Sequence, residues 1–325
     1  MSNKVTVNEA RFQELGGKVV VLTGGANGIG ASTVRALVNA GAKVAFGDFD
    51  IPAGEQLVES LSNAPIPPLF VKMDASKYDD NIKLFRTALE KFGHVDHAIA
   101  CAGILERGKW FDPELTIETV EKPETEKVIA VNLLGTLYFA RIAAVYLRHG
   151  REEGQDRSLT LISSAAGFRD SPGLFLYQAS KHGVMGLLRA LRKILYECVA
   201  PSQLWKYMYP ELILLARRDH IRVNAICPAI TDSAMTTSII DGFRQSNQAI
   251  NTCDDVAKYI VGLEVATEMN GKAVYVEGGR GWEFTDGLDA SMPLWLGEEP
   301  TNRIREHLRH IGQASASKDF GCYRC

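Results

Sequence analysis

The stretch of sequence that decides the fold runs from Lys18 to Gly30 and reads Lys-Val-Val-Val-Leu-Thr-Gly-Gly-Ala-Asn-Gly-Ile-Gly. Its first six residues form an apolar run that predicts a buried strand, and a helical pattern follows over residues 29–40. Glycines between a strand and a helix permit a tight turn and let main-chain N–H groups approach a pyrophosphate at the helix N-terminus. We therefore predict a dinucleotide-binding turn rather than a purely structural one, with cofactor contacts from Gly24, Asn27, Gly28, Ile29 and Gly30.

A second predicted strand ends at Asp48, 18 residues beyond Gly30. A carboxylate at this offset can accept hydrogen bonds from the adenosine ribose hydroxyls, and it would repel the 2′-phosphate of NADP. No Arg or Lys lies in the turn or directly after Asp48, so the sequence favours NAD; the alternative is that Asp48 is only a turn residue. Asp74 follows the third predicted strand, where it would either contact the cofactor beside the adenine or cap a helix.

Short apolar runs alternate with longer helical patterns from residue 18 to residue 276, which indicates βαβ units. Beyond residues 18–23, strands are predicted at residues 43–48, 69–73, 95–100, 158–163, 222–226 and 273–276. Parallel strands connected in this way must be covered by helices on both faces. The sequence thus predicts an α/β fold, with one Rossmann-like doubly wound parallel sheet of seven strands in a single domain. We place its core at about residues 15–279 and a C-terminal tail at residues 280–325.

Tyr177 and Lys181 open a helical pattern over residues 177–197, and residues four apart on a helix share one face. An ammonium group beside a phenol favours the phenolate, so the lysine would lower a tyrosine pKa that starts near 10. Such a pair could accept and return a hydroxyl proton. By itself, Tyr-x3-Lys is also typical of an ordinary surface pair.

Four motifs follow one another along the chain: Thr23-Gly-x3-Gly-x-Gly, Asn132 within Val-Asn-Leu-Leu-Gly, Ser164 within Ile-Ser-Ser, and Tyr177-x3-Lys181. In order and spacing they resemble the one-domain branch of the short-chain dehydrogenase/reductase family. Within that family the chain is similar to 15-hydroxyprostaglandin dehydrogenases. Through its long tail it is also similar to fungal secondary-metabolite dehydrogenases such as 5′-hydroxyaverantin dehydrogenase.

The resemblance implies a role for each motif residue. Tyr177 would be the general base in oxidation and the general acid in reduction, and Ser164 would hydrogen-bond the substrate oxygen. Lys181 would lower the Tyr177 pKa and hold the nicotinamide ribose, and Asn132 would anchor the water through which Lys181 exchanges protons. Ser163 would be structural, because the family places the catalytic serine 13 residues before the tyrosine. The further cofactor contacts that the resemblance implies are Ala102, Gly103, Tyr177, Lys181, Pro228, Thr231 and Ser233.

The sequence departs from the family pattern in two places. Ala100-Cys-Ala-Gly103 stands where the family commonly has Asn-Asn-Ala-Gly, and Ala229 stands where it usually has glycine, so an extra methyl group would narrow the nicotinamide pocket. His182 and Cys227 lie near this chemistry in sequence. We expect both to be packing residues, and no metal site is predicted.

Composition narrows the function classes. The chain has 325 residues, 46% of them hydrophobic, with 36 basic and 39 acidic side chains that give a net charge of −3. This balance argues against the basic surface that nucleic-acid binding requires, and the sequence lacks a run of about 18 apolar residues. Neither a nucleic-acid nor a membrane role is therefore expected. Six sparse cysteines indicate a reducing compartment, and we expect a cytoplasmic protein. Cys322 and Cys325 could form a metal half-site, a redox pair or a prenylation box; we interpret them as part of a frayed tail.

The predicted function is the NAD-dependent interconversion of a secondary alcohol and a ketone. The alternative is a cofactor-binding protein with a regulatory or non-redox biosynthetic role. Loops at about residues 105–122 and 234–251 would line the substrate pocket with apolar side chains, so we expect a bulky, mostly apolar small molecule, in secondary metabolism. The apolar residues of these loops are Trp110, Phe111, Met235, Ile239 and Phe243.

Three further expectations concern surfaces. Helical patterns at residues 125–147 and 177–197 carry apolar residues on more than one face, which predicts a homodimer or homotetramer. Trp282, Phe284 and Trp295 suggest that the tail covers a pocket mouth, either its own or a neighbour's. Residues 198–217 look inserted relative to the family and are expected to form a surface helix or a subunit contact, or to come from a retained intron.

Overall fold

The computed structural model describes residues 3–106, 110–122, 124–195 and 220–314. The predicted insertion at residues 198–217, the Cys322 and Cys325 pair and the end of the tail lie outside these residues. The strands are β1 Lys4–Val5, β2 Val19–Thr23, β3 Lys43–Asp48, β4 Leu69–Lys72, β5 His97–Ala100, β6 Arg157–Ile162, β7 Ile221–Pro228, β8 Ala273–Glu277 and β9 Arg280–Glu283. The helices are α1 Gly28–Asn39, α2 Ile51–Ser60, α3 Tyr78–Phe92, α4 Ile117–Val120, α5 Lys127–Ile129, α6 Thr136–Tyr146, α7 Phe175–Ile194, α8 Ile240–Gln245, α9 Cys253–Val265, α10 Thr285–Leu296 and α11 Glu298–Ala314.

One sheet of nine strands organises the described chain, in the order β1-β9-β8-β7-β6-β5-β2-β3-β4. The seven strands β2 to β8 are parallel to one another, which confirms the predicted doubly wound sheet. Two strands were not predicted. β9 turns back from β8 through Gly278 and Gly279, both with positive φ, and runs antiparallel to it; β1 then pairs with β9. The sheet therefore includes the first four residues of the predicted tail.

Helices cover both faces of the sheet, and strand alternation decides which residues they meet. Along β2, Val20 and Leu22 belong to the core beneath α1 and α9, whereas Val21 belongs to the core beneath α3, α6 and α7. All three side chains are fully buried. The continuous apolar run that predicted β2 thus reflects a strand packed on both faces.

The stretch Lys127–Tyr146 is helical throughout, because a π-helical segment, Ala130–Gly135, joins α5 to α6. Among the described helices it alone is long and apolar enough to cross a membrane by length and composition, and 44% of that window is buried. Phe139 and Ile142 pack into the core. Leu134, Leu137 and Val145 are exposed on the opposite side, so the helix has two apolar faces.

Candidate active site

A cavity of about 710 Å³ opens at the carboxyl ends of the central parallel strands, where ligands bind in open α/β sheets. Every predicted cofactor contact lines it, and so does Ser164. The predicted contacts found in this lining are Gly24, Asn27, Gly28, Ile29, Gly30, Asp48, Asp74, Ala102, Gly103, Tyr177, Lys181, Pro228, Thr231 and Ser233. Asn132 is not part of this lining; it lies directly behind it.

The glycine turn has no room for side chains at its two critical positions. Gly24 has a φ of +70°, and a Cβ atom there would lie 2.6 Å from the Cα of Ala102. A Cβ atom at Gly30 would overlap the main-chain oxygen of Gly24. The turn, the segment directly after β5 and the start of α1 are therefore in van der Waals contact, and the N-terminus of α1 faces the cavity. This arrangement fits a pyrophosphate group.

Asp48 supports the glycine turn as well as lining the cavity. Its Oδ2 accepts a hydrogen bond from the main-chain N of Ala26 at 2.9 Å, and its Oδ1 accepts one from the main-chain N of Asp50 at 3.0 Å. Asp50 in turn accepts a hydrogen bond from the Asn27 side chain at 3.0 Å. The carboxylate is thus held in one orientation, and because each oxygen has two lone pairs it can still accept a ligand hydroxyl.

At the same end of the cavity lie two residues that sequence reasoning missed. Phe49 is 70% exposed directly after Asp48, and the Lys127 Nζ lies 5.8 Å from the centre of its ring. Asp74 lies nearby, with its Oδ1 accepting hydrogen bonds from the main-chain N and the hydroxyl of Ser76. Burial acts to raise the Asp74 pKa, but the Ser76 hydrogen bonds and nearby lysines outweigh it and lower this pKa. The Lys127 ammonium group therefore lies beside Phe49, next to Asp48 in sequence, where the sequence predicted no positive charge.

Tyr177 and Ser164 meet across the cavity from the glycine turn. Tyr177 stands in the first turn of α7, and the Ser164 side chain, two residues beyond the end of β6, lies near enough to its phenol to affect the phenol's pKa. Burial raises the Tyr177 pKa above its ordinary value of 10, and the Ser164 side chain offsets only part of that rise. The expected lowering of this pKa by the lysine is therefore wrong for the protein by itself, because desolvation dominates.

Lys181 lies one helical turn after Tyr177 and is buried. Its Nζ donates to the main-chain oxygen of Ile162 at 3.0 Å and lies 5.6 Å from the centre of the Tyr177 ring. Burial lowers the Lys181 pKa to about 8. The lysine can thus exchange a proton near neutral pH.

Asn132 lies in the π-helical segment and is fully buried. Its Oδ1 accepts a hydrogen bond from the main-chain N of Ile104 at 2.8 Å, and its Nδ2 donates to the Ile104 oxygen at 2.9 Å. A Cβ atom at Gly103 would lie 3.5 Å from both the Asn132 Oδ1 and the Lys181 Nζ. The missing side chain at Gly103 therefore leaves a gap between these two polar groups.

The residues after β7 line the cavity beside the glycine turn. Thr231 donates to the main-chain oxygen of Ala229 at 3.0 Å, and the Ser233 hydroxyl lies 3.4 Å from that of Thr236. A Cβ atom at Gly28 would lie 3.7 Å from the Ser233 Cβ, so this loop reaches the glycine turn.

Side chains near the motifs differ in burial. Cys227 is buried, with its Sγ 3.6 Å from the Met185 Sδ, and burial raises its pKa to about 12, which fits a packing residue. His182 is not a packing residue: it is exposed on α7, because its position on the helix faces away from the sheet, and its Nδ1 lies 3.0 Å from the Gln178 oxygen. Ser163 is buried and donates to the main-chain oxygen of Lys181 at 3.0 Å.

The two loops that were predicted to line the substrate pocket contribute different numbers of apolar side chains to the cavity. Leu105 and the three apolar residues of the second loop, Met235, Ile239 and Phe243, line the cavity. Phe111 does not: its ring lies 4.6 Å from that of Phe175, outside the main cavity. Arg169, which sequence reasoning missed, lines the cavity at its exposed rim.

The aromatic residues of the tail lie elsewhere. Trp282 lies in β9 with its ring centre 6.0 Å from that of Tyr275, and the Phe284 ring centre lies 4.3 Å from that of Phe168. Trp295 is 66% exposed on α10. Among residues 280–307, no side chain lines the cavity of its own chain.

Comparisons with known proteins agree with this geometry. The model of the short chain dehydrogenase family matches residues 18–199. Over 322 residues the chain is 26% identical to the short-chain dehydrogenase/reductase prx4 of Penicillium rubens, covering 93% of this chain and 87% of that protein. It is 32% identical over 202 residues to the L-fucose dehydrogenase of Mus musculus, covering 60% of this chain and 68% of that enzyme. Among solved structures, the 3-ketoacyl-(acyl-carrier-protein) reductase from Brucella melitensis, complexed with NADH, matches with a TM-score of 0.63 at 25% identity, over 82% of this chain and 98% of that one.

Proposed function

Because this chain belongs to the short-chain dehydrogenase/reductase family, a family of oxidoreductases, we propose that it interconverts a secondary alcohol and a ketone with NAD as cofactor. The observation that supports this reaction most directly is the meeting of Ser164, Tyr177 and Lys181 in one cavity with the glycine turn. A protein that only bound the cofactor would not need a hydroxyl, a phenol and an amine converging opposite that turn.

Each residue has a task that follows from its position. The nicotinamide, when bound, accepts or supplies the hydride. The Ser164 hydroxyl hydrogen-bonds the substrate oxygen and stabilises the charge that develops on it. The Tyr177 hydroxyl exchanges the proton of that oxygen, and Lys181, with a pKa of about 8, can return a proton toward Tyr177.

The preference for NAD rests on Asp48. Its carboxylate is fixed by two main-chain N–H groups at the adenosine end of the cavity, where it can accept from ribose hydroxyls and repel a 2′-phosphate. The NADH complex of the Brucella reductase is consistent with this choice. We expect NAD to bind at least about tenfold more tightly than NADP, which corresponds to about 1.4 kcal/mol.

The substrate is proposed to be a bulky, mostly apolar alcohol or ketone. Leu105, Met235, Ile239 and Phe243 form the wall on the substrate side of Tyr177, and the rim carries Arg169. Apolar walls with few polar groups bind apolar molecules and use the polar groups to orient them. We also propose a role in secondary metabolism, on the basis of the resemblance of the sequence to fungal secondary-metabolite dehydrogenases.

The test is a panel of steroid, polyketide and terpenoid alcohols incubated with NAD, in which the absorbance of the reduced nicotinamide is followed. We expect the wild type to oxidise at least one bulky apolar alcohol and the Tyr177→Phe variant to oxidise none. Binding of NADH without turnover of any alcohol or ketone would instead support the non-catalytic alternative.

We also propose a cytoplasmic homodimer or homotetramer, with no nucleic-acid or membrane partner. The exposed stripe of Leu134, Leu137 and Val145 supports the oligomer, because apolar side chains aligned along one helix face are typical of a subunit contact. The same contact would account for the apolar composition of the stretch Lys127–Tyr146.

A further inference from the structure

The helix that carries Tyr177 lacks a cap from its own neighbours. Leu174 is the N-cap residue of α7, and no side chain at that position makes a capping hydrogen bond. The first turn of an α-helix leaves its main-chain N–H groups without partners inside the helix, so they need acceptors from elsewhere. Two of the groups concerned here belong to Leu176 and to Tyr177 itself.

Glu106 supplies this cap from 70 residues earlier in the chain. Its Oε2 accepts hydrogen bonds from the main-chain N of Leu176 at 2.8 Å and of Tyr177 at 3.2 Å. Its Oε1 is buried and has no partner among the described residues. An anionic oxygen at this position makes charge-assisted bonds and interacts favourably with the helix dipole.

The main chain just before Glu106 is fixed to the other side of the site. Ile104 exchanges two hydrogen bonds with the Asn132 side chain, and Leu105 lines the cavity. Residues 104–106 therefore form a bridge that begins at the buried amide of Asn132 and ends at the first turn of α7. Both ends of this bridge are held by polar groups that are buried or partly buried.

We propose that Glu106 is a positioning residue, whose carboxylate holds the first turn of α7 so that the Tyr177 hydroxyl stays beside the Ser164 side chain. Glu106 does not line the cavity, so it acts through Tyr177 rather than on the substrate. Small displacements of a catalytic group lower the rate of the chemical step more than they lower cofactor affinity. The proposal rests on the oxidoreductase function proposed above.

The kinetic test compares Glu106→Ala with Glu106→Gln, whose amide oxygen can still accept from both N–H groups. We expect Glu106→Ala to lower kcat about 10- to 100-fold while the dissociation constant of NADH changes less than about twofold, and Glu106→Gln to recover most of kcat. Glu114→Ala is the matched control, because Glu114 is an exposed carboxylate in the segment that follows. A Glu106→Ala variant with wild-type kcat, or a Glu106→Gln variant as slow as Glu106→Ala, overturns the proposal.

Hydrogen exchange provides a readout that needs no turnover. In the unliganded protein, the amides of Leu176 and Tyr177 should exchange about 3- to 30-fold faster in Glu106→Ala than in the wild type, with Glu106→Gln between them. Unchanged exchange at both amides would refute the cap even if no substrate were found, so its failure is distinguishable from failure of the proposed function. If Glu106→Ala does not fold, Glu106→Asp replaces it in both experiments. The shorter side chain draws the carboxylate oxygens back from the Leu176 and Tyr177 N–H groups by one methylene group. A wild-type kcat and exchange pattern in that variant would refute the role of Glu106.

Discussion

Glu264 allows a direct test of how burial affects the pH dependence of stability, because its carboxyl group is buried at the end of the sheet opposite the cavity. It lies on α9 and accepts a hydrogen bond from the Ser158 hydroxyl of β6, and its Oε2 is 3.5 Å from the His97 Nδ1. Burial raises the Glu264 pKa from 4.5 to about 7; the hydrogen bond from Ser158, the charge of Arg222 and the nearby Thr160 hydroxyl oppose the rise, and Asp156 adds to it.

The sign of the effect on stability follows from this pKa. The folded protein favours the protonated carboxyl, so the free energy of unfolding falls as pH rises from 4.5, the value in the unfolded chain, to about 7. At about 1.4 kcal/mol for each tenfold change in proton affinity, the full loss is about 3 kcal/mol. The neighbouring His97 acts in the opposite sense: burial lowers its pKa to about 4, so its contribution is lost as pH falls below 6.5.

The perturbation is Glu264→Gln, which keeps an acceptor for Ser158 and removes the ionisation. Because His97 is present in both proteins, the difference in unfolding free energy between variant and wild type isolates Glu264. This difference should favour the variant by about 3 kcal/mol more at pH 8 than at pH 4.5, measured by urea unfolding at the two pH values. Glu90→Gln, at an exposed position on α3, is the matched control. Equal differences for Glu264→Gln at both pH values would show that this carboxyl is not held protonated.

Three further outcomes are expected. Tyr177→Phe should bind NADH normally and lower turnover by at least about 10²-fold, measured in the absorbance assay; near-normal turnover would contradict its role in proton exchange. Asp48→Ala removes the acceptor for the Ala26 and Asp50 N–H groups and should lower the preference for NAD over NADP at least about tenfold in fluorescence titrations; an unchanged ratio would remove Asp48 from cofactor selection. Leu137→Glu places a charge in the exposed stripe of α6 and should reduce the mass found by light scattering to that of a monomer, whereas an unchanged oligomer would locate the subunit contact elsewhere.

The seven parallel strands were predictable because short segments rich in apolar residues alternate with longer helical patterns along the chain. β1 and β9 were not, because β1 has two residues and β9 has four, Arg280–Glu283, with charged residues at both ends. Strands this short carry too few residues to show a period. Their pairing depends on the two glycines with positive φ that turn the chain after β8, and Gly278 and Gly279 are visible in sequence only as a possible turn.

The candidate site, too, has residues that the sequence predicts and residues that it does not. The glycine turn, Ser164, Tyr177 and Lys181 were predictable because each belongs to a local pattern with a fixed spacing. Glu106 was not, because the groups it caps lie 70 residues later and its neighbours in sequence form no motif. A contact of this kind has no local signature, and only the fold brings its two ends together.

The pKa values of Tyr177 and Lys181 show why even a correctly predicted pair can be misjudged electrostatically. Spacing along α7 indicates that the two side chains share a face, and from that alone a lowered tyrosine pKa follows. In the structure the larger effect on each group is burial, which penalises the phenolate and the ammonium alike, so the Tyr177 pKa rises and the Lys181 pKa falls to about 8. The groups that surround Lys181, including Ile162 and Cys227, come from β6 and β7 as well as from α7 itself. The burial that shifts these two pKa values arises only when several strands and α7 pack together, so it cannot be predicted from the local sequence around Tyr177 and Lys181.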